Sequence, residues 1–151
     1  MSDAASLKPR RKAFPLPYVL EEQVGFILRC VSQRHTTIFA EQIGDDLTPT
    51  QWTALVKLLD AGSCSQNHLG RIAAVDVATI KGVIDRLTAR GLAQTRPDPE
   101  DGRRLLVSLT PAGHDAVHRA LPNALAISEK TLEPLSSKER ETFLRLLAKL
   151  K

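Results

Sequence analysis

The sequence predicts a mainly α protein with a small β-hairpin, and three observations carry that expectation. Apolar residues make up 42% of the 151 positions but aromatics only 4%, so the core is built from Leu, Val, Ile and Ala, a composition that favours helices. Apolar positions recur at helical spacing along most of the chain. One stretch breaks that spacing: "LAQT" and "RLLVSL" flank the charged run "RPDPEDGR" and read as two strands joined by a long loop.

The elements follow in order. Residues 1–17 hold Pro9, Pro15 and Pro17 with Lys8, Arg10, Arg11 and Lys12, and read as a basic extended arm. Leu20, Val24, Ile27, Leu28, Val31, Ile38 and Phe39 then keep helical spacing from Tyr18 to about Ile43. A helix of about 26 residues would be on the order of 39 Å long. That is more than so small a domain covers by itself, and a second chain is the natural cover.

Next, Thr48 is placed as an N-cap, Pro49 takes the first helical position and Gln51 completes a capping box. Trp52, Leu55, Val56 and Leu59 form the expected buried stripe, and Gly62 stops the helix. Ser65 caps a short helix carrying Leu69, Ile72 and Ala73. Asp76 caps a third, whose Ile80, Val83, Ile84 and Leu87 face inward and which Gly91 ends.

Beyond the hairpin, Thr110-Pro111 opens a helix with Ala116, Val117, Ala120, Leu121 and Ala124, in which Pro122 is expected to cause a kink or a shortening. Ser136 and Glu139 form a second capping box. The last helix is expected to bury Phe143, Leu146, Leu147 and Leu150. This gives a basic arm over 1–17, a helical region over 18–46 and 111–151, and a separate module over 47–110.

Charge and motifs narrow the function. The net charge of +4 is unevenly placed: the basic excess lies in residues 1–12 and from residue 71 onward, while 13–70 is net acidic. That is a mild bias toward polyanions. No apolar run approaches the roughly 18 residues of a membrane span, and the N-terminal residues lack the apolar segment of a signal peptide, so a cytoplasmic location is expected. A Gly-rich phosphate loop, a nucleophile motif and paired carboxylates outside a turn are all missing. The chain is therefore read as no enzyme, with no cofactor. Cys30 and Cys64 form no metal or redox pair in sequence and are expected to be small, buried, reduced side chains.

Two short helices joined by a tight turn and followed by a hairpin make a winged helix-turn-helix. Its second helix has a face the core does not need: Val77, Ala78, Thr79, Lys81 and Gly82 lie off the Ile80/Ile84/Leu87 stripe. Small and polar residues there let a backbone approach base edges in a major groove. Arg71, Arg86 and Arg90 would flank that groove and neutralise phosphates. Each alone is equally readable as a solvated surface arginine.

In the hairpin, Arg96, Arg103 and Arg104 accompany the turn at Asp101-Gly102. Asp101, two residues before Arg103, is expected to orient its guanidinium by a charge-assisted bond, so that it enters a minor groove or clamps a phosphate.

These residues carry a specific resemblance. "LTPTQWTALVKLLDAG", "SQNHLGRIAAVDVATIKGVIDRLTARGL" and "RPDPEDGRRLLVSLTPAG", with the late Leu-rich helix, resemble the MarR family of bacterial transcription regulators from about Tyr18 to Lys151. The resemblance implies a homodimer with intertwined N- and C-terminal helical dimerisation arms. It further implies binding to a palindromic operator in double-stranded DNA, and a repressor released by a small effector, often a phenol or an aromatic carboxylate.

The effector cleft it implies lies between the arms and the winged module. Candidates there are His35, on the Leu28/Val31/Ile38 stripe, where a titratable group needs a partner, and Arg29 or Arg34, which could pair a carboxylate. Trp52 would be a wall, or simply core. His114 and His118 share a helix face and fit either the cleft or a zinc site completed by Cys64 or His68. A metal- or thiol-sensing regulator of the same fold, and an architectural DNA binder without effector, stay open as alternatives.

Overall fold

The computed structural model describes residues 17–151; the basic arm, except Pro17, lies outside the described residues. The chain divides into two compact units, Met1–Ser32 and Gln33–Lys151.

In the first unit a 3-10 turn, Leu20–Glu22, precedes helix α1, Val24–Gln42, which continues into the second unit. The long helix expected from Tyr18 is thus 19 residues long and starts six positions later. Gln23 is extended (φ −82°, ψ 134°) and its side-chain Nε2 donates to the Val19 carbonyl at 2.9 Å, which locks the interruption. Leu20, Val24, Ile27, Leu28 and Val31 are exposed. So is Cys30, against the expectation of a buried thiol.

The second unit is built around α2 (Pro49–Ala61), α3 (Gln66–Ile72), α4 (Val77–Ala89) and a three-stranded antiparallel sheet. Strands β1 (Ser63–Ser65), β2 (Ala93–Pro97) and β3 (Leu105–Leu109) lie in the order β1-β3-β2. Ala93 sits opposite Leu109 and Pro97 opposite Leu105 across the hairpin, with Cys64 opposite Val107 on the other edge. The sequence reading missed β1, because "SCS" offers neither β-branched residues nor alternation.

Helix α2 begins as its sequence predicts: Gln51 N donates to Thr48 Oγ1, and Thr48 N to Gln51 Oε1, each at 3.2 Å. Its buried stripe is displaced from the expected one. Ala54, Leu55 and Leu58 are buried, while Trp52, Val56 and Leu59 are only partly so. The reason is that α3, α4, β3 and a later helix, α5 (Pro111–Leu132), all pack on this helix, so its apolar surface is shared among several neighbours. Leu55, Leu58, Leu69, Ile80, Leu87, Val107 and Ile127 are the largest side chains shielded entirely from water.

Helix α5, Pro111–Leu132, starts at Thr110, whose hydroxyl accepts from Gly113 N at 3.1 Å and donates to the Gly91 carbonyl at 2.6 Å. It runs unshortened through Pro122. Pro122 and His118 are both exposed, so the carbonyl that loses its helical donor lies on a solvated flank. Leu121 on this helix is exposed.

Helix α6, Ser137–Ala148, has the predicted Ser136/Glu139 capping box but buries no residue. Phe143, Leu146, Leu147 and Leu150 are 37–74% exposed; the described residues provide no surface that covers them. Among the described residues no helix is long and apolar enough to cross a membrane.

Gly113 marks the tightest contact in the unit. A Cβ there would stand 2.0 Å from the Leu92 carbonyl oxygen and 3.3 Å from Leu109 Cδ2, where α5 leaves the sheet. Gly113→Ala is expected to destabilise the protein by about 2 kcal/mol or more, in the range of core overpacking. Urea unfolding at fixed protein concentration measures it, and a midpoint equal to wild type would contradict this packing.

Candidate nucleic-acid interface

Helix α4 is held at its start by Asp76, whose Oδ1 accepts from Thr79 N at 2.9 Å and whose Oδ2 accepts from Thr79 Oγ1 at 2.7 Å. The Thr79 hydroxyl bond, first among the causes, keeps the Asp76 carboxyl below its ordinary value. The hydroxyl proton of Thr79 is thereby spent inside the protein. Toward a base edge Thr79 offers lone pairs, which suit the exocyclic amines of adenine or cytosine.

One face of α4 is fully committed to the core: Ile80, Val83, Ile84 and Leu87 are 4% exposed or less. The other face is not used by the core. Val77, Ala78, Thr79 and Lys81 are exposed, and a Cβ added at Gly82 would meet nothing within 4 Å. Lys81 is paired with Asp85 at 2.9 Å, both side chains about two-thirds exposed. Such a surface pair is weak, and Lys81 can exchange it for a phosphate.

The helix before it comes close because Gly70 leaves room: its Cβ would lie 3.0 Å from the Val75 carbonyl oxygen and 3.3 Å from Ile80 Cγ2. Gly70 also accepts from Val75 N at 2.9 Å, closing the tight turn between α3 and α4.

Of the flanking arginines, Arg71 donates to His68 Nδ1 at 3.1 Å. Arg86 is exposed and lines a shallow cleft with Asp46, Gln51, Ala89 and Arg90. Arg90 is not free for phosphate: its Nη2 donates to the Asp45 carbonyl and its Nη1 to Gln51 Oε1 at 3.4 Å.

In the wing the arrangement differs from the one expected. Asp101 Oδ1 accepts from the backbone N of Arg103 at 3.1 Å, not from its guanidinium. Arg104 N donates to Asp101 O at 2.9 Å and Asp98 N to Arg104 O at 2.8 Å, which closes the loop. The fixed guanidinium is that of Arg104, whose Nε and Nη2 both reach Asp98 Oδ2, at 3.1 and 2.9 Å.

Asp98 is only 7% exposed, and its carboxyl lies below its ordinary value of 3.8 because it accepts first from Glu100 N and then from the Arg104 guanidinium. An acid six positions away is separated by five intervening residues, so spacing pointed to the wrong aspartate. The guanidinium groups of Arg103, at the tip, and Arg96, on β2, make no hydrogen bond or ion pair to any described residue, and both residues are exposed.

The structure brings to the interface residues that the sequence pattern did not place there. Ser65, Gln66 and Asn67 line an open cleft of about 240 Å³ with Arg103, Arg104 and Leu105, joining the wing to the start of α3. Their signal was present in the sequence, as polar residues ahead of the first apolar position of that helix, Leu69.

The effector candidates scatter. His35 Nδ1 lies 2.8 Å from Thr131 Oγ1, and Thr131 Oγ1 donates to the Ile127 carbonyl at 2.8 Å. With the threonine proton so used, Nδ1 carries the proton and Nε2 is the free acceptor of the neutral ring. Arg34 donates to the Thr131 and Lys130 carbonyls at 2.7 and 3.1 Å; it caps the end of α5 and is spent there. Arg29, in the first unit, is exposed.

His114 and His118 are exposed near the other end of α5, about 20 to 26 Å from Thr131 at the helical rise. Within one chain they cannot share a pocket with His35. Trp52 packs against the core. Among the described residues no cluster of three or more His, Cys, Asp or Glu is arranged to hold a metal ion. Cys64 is buried, which raises its thiol above the ordinary value.

A core-buried helix with one bare face, a tight turn and an arginine-tipped hairpin define a winged helix-turn-helix protein. Residues 45–104 match the model of the MarR family. The HTH-type transcriptional repressor NicR of Pseudomonas putida is 44% identical over 135 residues, 89% of this chain and 85% of NicR. A probable transcriptional regulator from Pseudomonas aeruginosa superposes with a TM-score of 0.86 at 54% identity, over 88% of this chain and all of that one.

BpsR of Bordetella bronchiseptica, whose structure concerns regulation of its DNA binding by 6-hydroxynicotinic acid, superposes with a TM-score of 0.85 at 41% identity, over 89% of this chain and 96% of its own. The chain belongs to the MarR family of transcription regulators.

Arg103→Ala is expected to lower affinity for specific DNA about tenfold or more without moving the unfolding midpoint, because its guanidinium supports nothing else. Asp98→Asn should act through Arg104 instead. The folded carboxyl is held below 3.8, so its stabilising effect is complete above that pH and is lost as pH falls through the lowered value. Wild type and Asp98→Asn should therefore converge in stability only once the pH has fallen below that lowered value, itself under 3.8. Fluorescence anisotropy and acid titration of unfolding test the pair; an unchanged affinity for Arg103→Ala would refute the tip contact.

Proposed function

We propose that this protein is a dimeric repressor that binds a palindromic operator and leaves it when a small aromatic carboxylate binds. The observation that carries the DNA half is the bare face of α4. The side chains of Val77, Ala78, Thr79 and Lys81 make only two internal polar contacts, the Thr79–Asp76 cap bond, which leaves the Thr79 lone pairs free, and the exchangeable Lys81–Asp85 pair, and Gly82 adds none. With the guanidinium groups of Arg103 and Arg96 unpartnered beside it, this surface offers base readout from one helix and phosphate or minor-groove contact from the wing.

The dimer is supported by apolar side chains left in water: Val24, Ile27, Leu28 and Val31 in the first unit, and Phe143, Leu144, Leu146 and Leu147 on α6. A second copy is their expected cover. Repression and the effector class rest on likeness to NicR, named a repressor, and to BpsR, with its 6-hydroxynicotinic acid.

On the chain itself, His35 is the residue we assign to the effector. Nε2 of neutral His35 accepts from a hydroxyl, or donates to a carboxylate once protonated.

Gel shifts against the chain's own upstream DNA test this reading, with added 6-hydroxynicotinic acid, nicotinic acid, zinc or peroxide. Release by the hydroxylated aromatic acid is expected. His35→Ala should bind DNA within about twofold of wild type while requiring at least about tenfold more effector, the cost of one or two lost polar contacts. Release by zinc or peroxide alone would overturn the effector class, and normal release of His35→Ala would remove that residue.

A further inference from the structure

The segment joining α1 to α2 is unusual in backbone and in partners. Gly44, Asp45 and Asp46 have φ of 78°, 52° and 49°, three successive residues in the left-handed region. Aspartate tolerates that region better than most residues but at a cost, and two in a row persist only where surroundings hold them.

The partners come from three helices. Arg90, the residue that ends α4, donates to the Asp45 carbonyl and to Gln51 Oε1. Gln51 is only 6% exposed, and the same Oε1 accepts from Thr48 N in the α2 capping box. From α5, Arg119 pairs with the Asp45 carboxylate at 3.2 Å, and Asn123 Nδ2 donates to the Ile43 carbonyl at 3.2 Å. Arg119 and Asn123 are four apart and share one face of α5. Farther along, α5 receives Arg34 and His35 at Lys130 and Thr131.

We propose that the 43–47 loop is a mechanical joint in which Asp45 couples α5 to the end of the recognition helix. Its carbonyl is gripped by Arg90 and its carboxylate by Arg119, and both arginines act as positioning residues for DNA reading. Displacement of α5 along its axis pulls on Asp45 through Arg119 and Asn123, and Asp45 passes the pull to α4 through Arg90. The surface pair between Arg119 and Asp45 is weak as a source of stability. Its role here is geometric, to select one orientation of α4.

The inference rests on the DNA-binding reading above, and the test keeps the two apart. A palindromic site is first selected from a random-sequence library with the wild-type full-length protein. Two further duplexes have the centre of that site lengthened or shortened by one base pair. Affinities for all three are measured for wild type, Asp45→Asn, Arg119→Leu and Arg119→Lys. Asparagine keeps the left-handed backbone and the carbonyl for Arg90, so it alters only the carboxylate.

Asp45→Asn and Arg119→Leu are expected to keep the wild-type melting temperature and dimer. Their preference for the selected spacing should fall about fivefold or more, since half-site separation reads the placement of α4. Arg119→Lys should recover part of the preference. An undiminished preference, or equal loss on all three duplexes, would overturn the joint while leaving DNA binding in place. A wild type that selects no site would overturn the DNA reading and the joint with it.

Discussion

The structure depends on helix α4 having two faces with opposite obligations. Ile80, Val83, Ile84 and Leu87 are sealed against α2, α3 and the sheet. Burial of four such side chains contributes on the order of 6 to 12 kcal/mol before entropy is counted. That commitment fixes the rotation of the helix about its axis, and the rotation decides which residues face outward. Asp76 fixes the remaining freedom at the N-terminus and Arg90 at the C-terminus. The functional face therefore needs no contacts of its own to be well placed, and its residues remain available for another molecule.

The wing solves the same problem with far less core. Only Val107 and Leu109 of β3 and Ala93 of β2 are buried there, so the loop beyond them has to be organised by polar contacts. Asp98 does this by accepting from Glu100 N and from two nitrogens of Arg104. A nearly buried carboxylate is tolerable because it is both paired and hydrogen-bonded. Two adjacent arginines consequently have different roles: Arg104 stiffens the hairpin, and Arg103 is carried by it.

How much of this was legible in the sequence follows from the range of each interaction. Caps at Thr48, Ser65, Asp76, Thr110 and Ser136 span three residues and were all readable. So was the α4 stripe, whose period is local. Contacts across the chain were not. Nothing near Arg90 in sequence points to Asp45, 45 positions away, and a basic side chain at the end of a DNA-reading helix naturally reads as a phosphate ligand. Arg34 was misjudged for the same reason, since the carbonyls that use its charge lie almost 100 positions on. The α6 stripe misled differently: its period was correct, but apolar periodicity does not say whose surface will cover it.

That last point bears on how a regulator of this kind responds. If the apolar faces of α1 and α6 were buried within one chain, the distance between two α4 helices would depend only on how two finished bodies touched. In the dimer proposed above, leaving them uncovered would make the folding of the helical region and the pairing of two copies a single event. The separation of the reading heads then becomes a property of the helices themselves. Helix α5 belongs to both sides of this arrangement. It packs on α2 and β3 at one end, through Ala116, Val117 and Ala120, and holds Arg34 and His35 at the other. Any molecule that changes how the far end of α5 is held acts on an element already joined to the DNA-reading unit. A small effector then needs to supply only the difference between two placements of one helix, within the few kcal/mol that a ligand of that size provides.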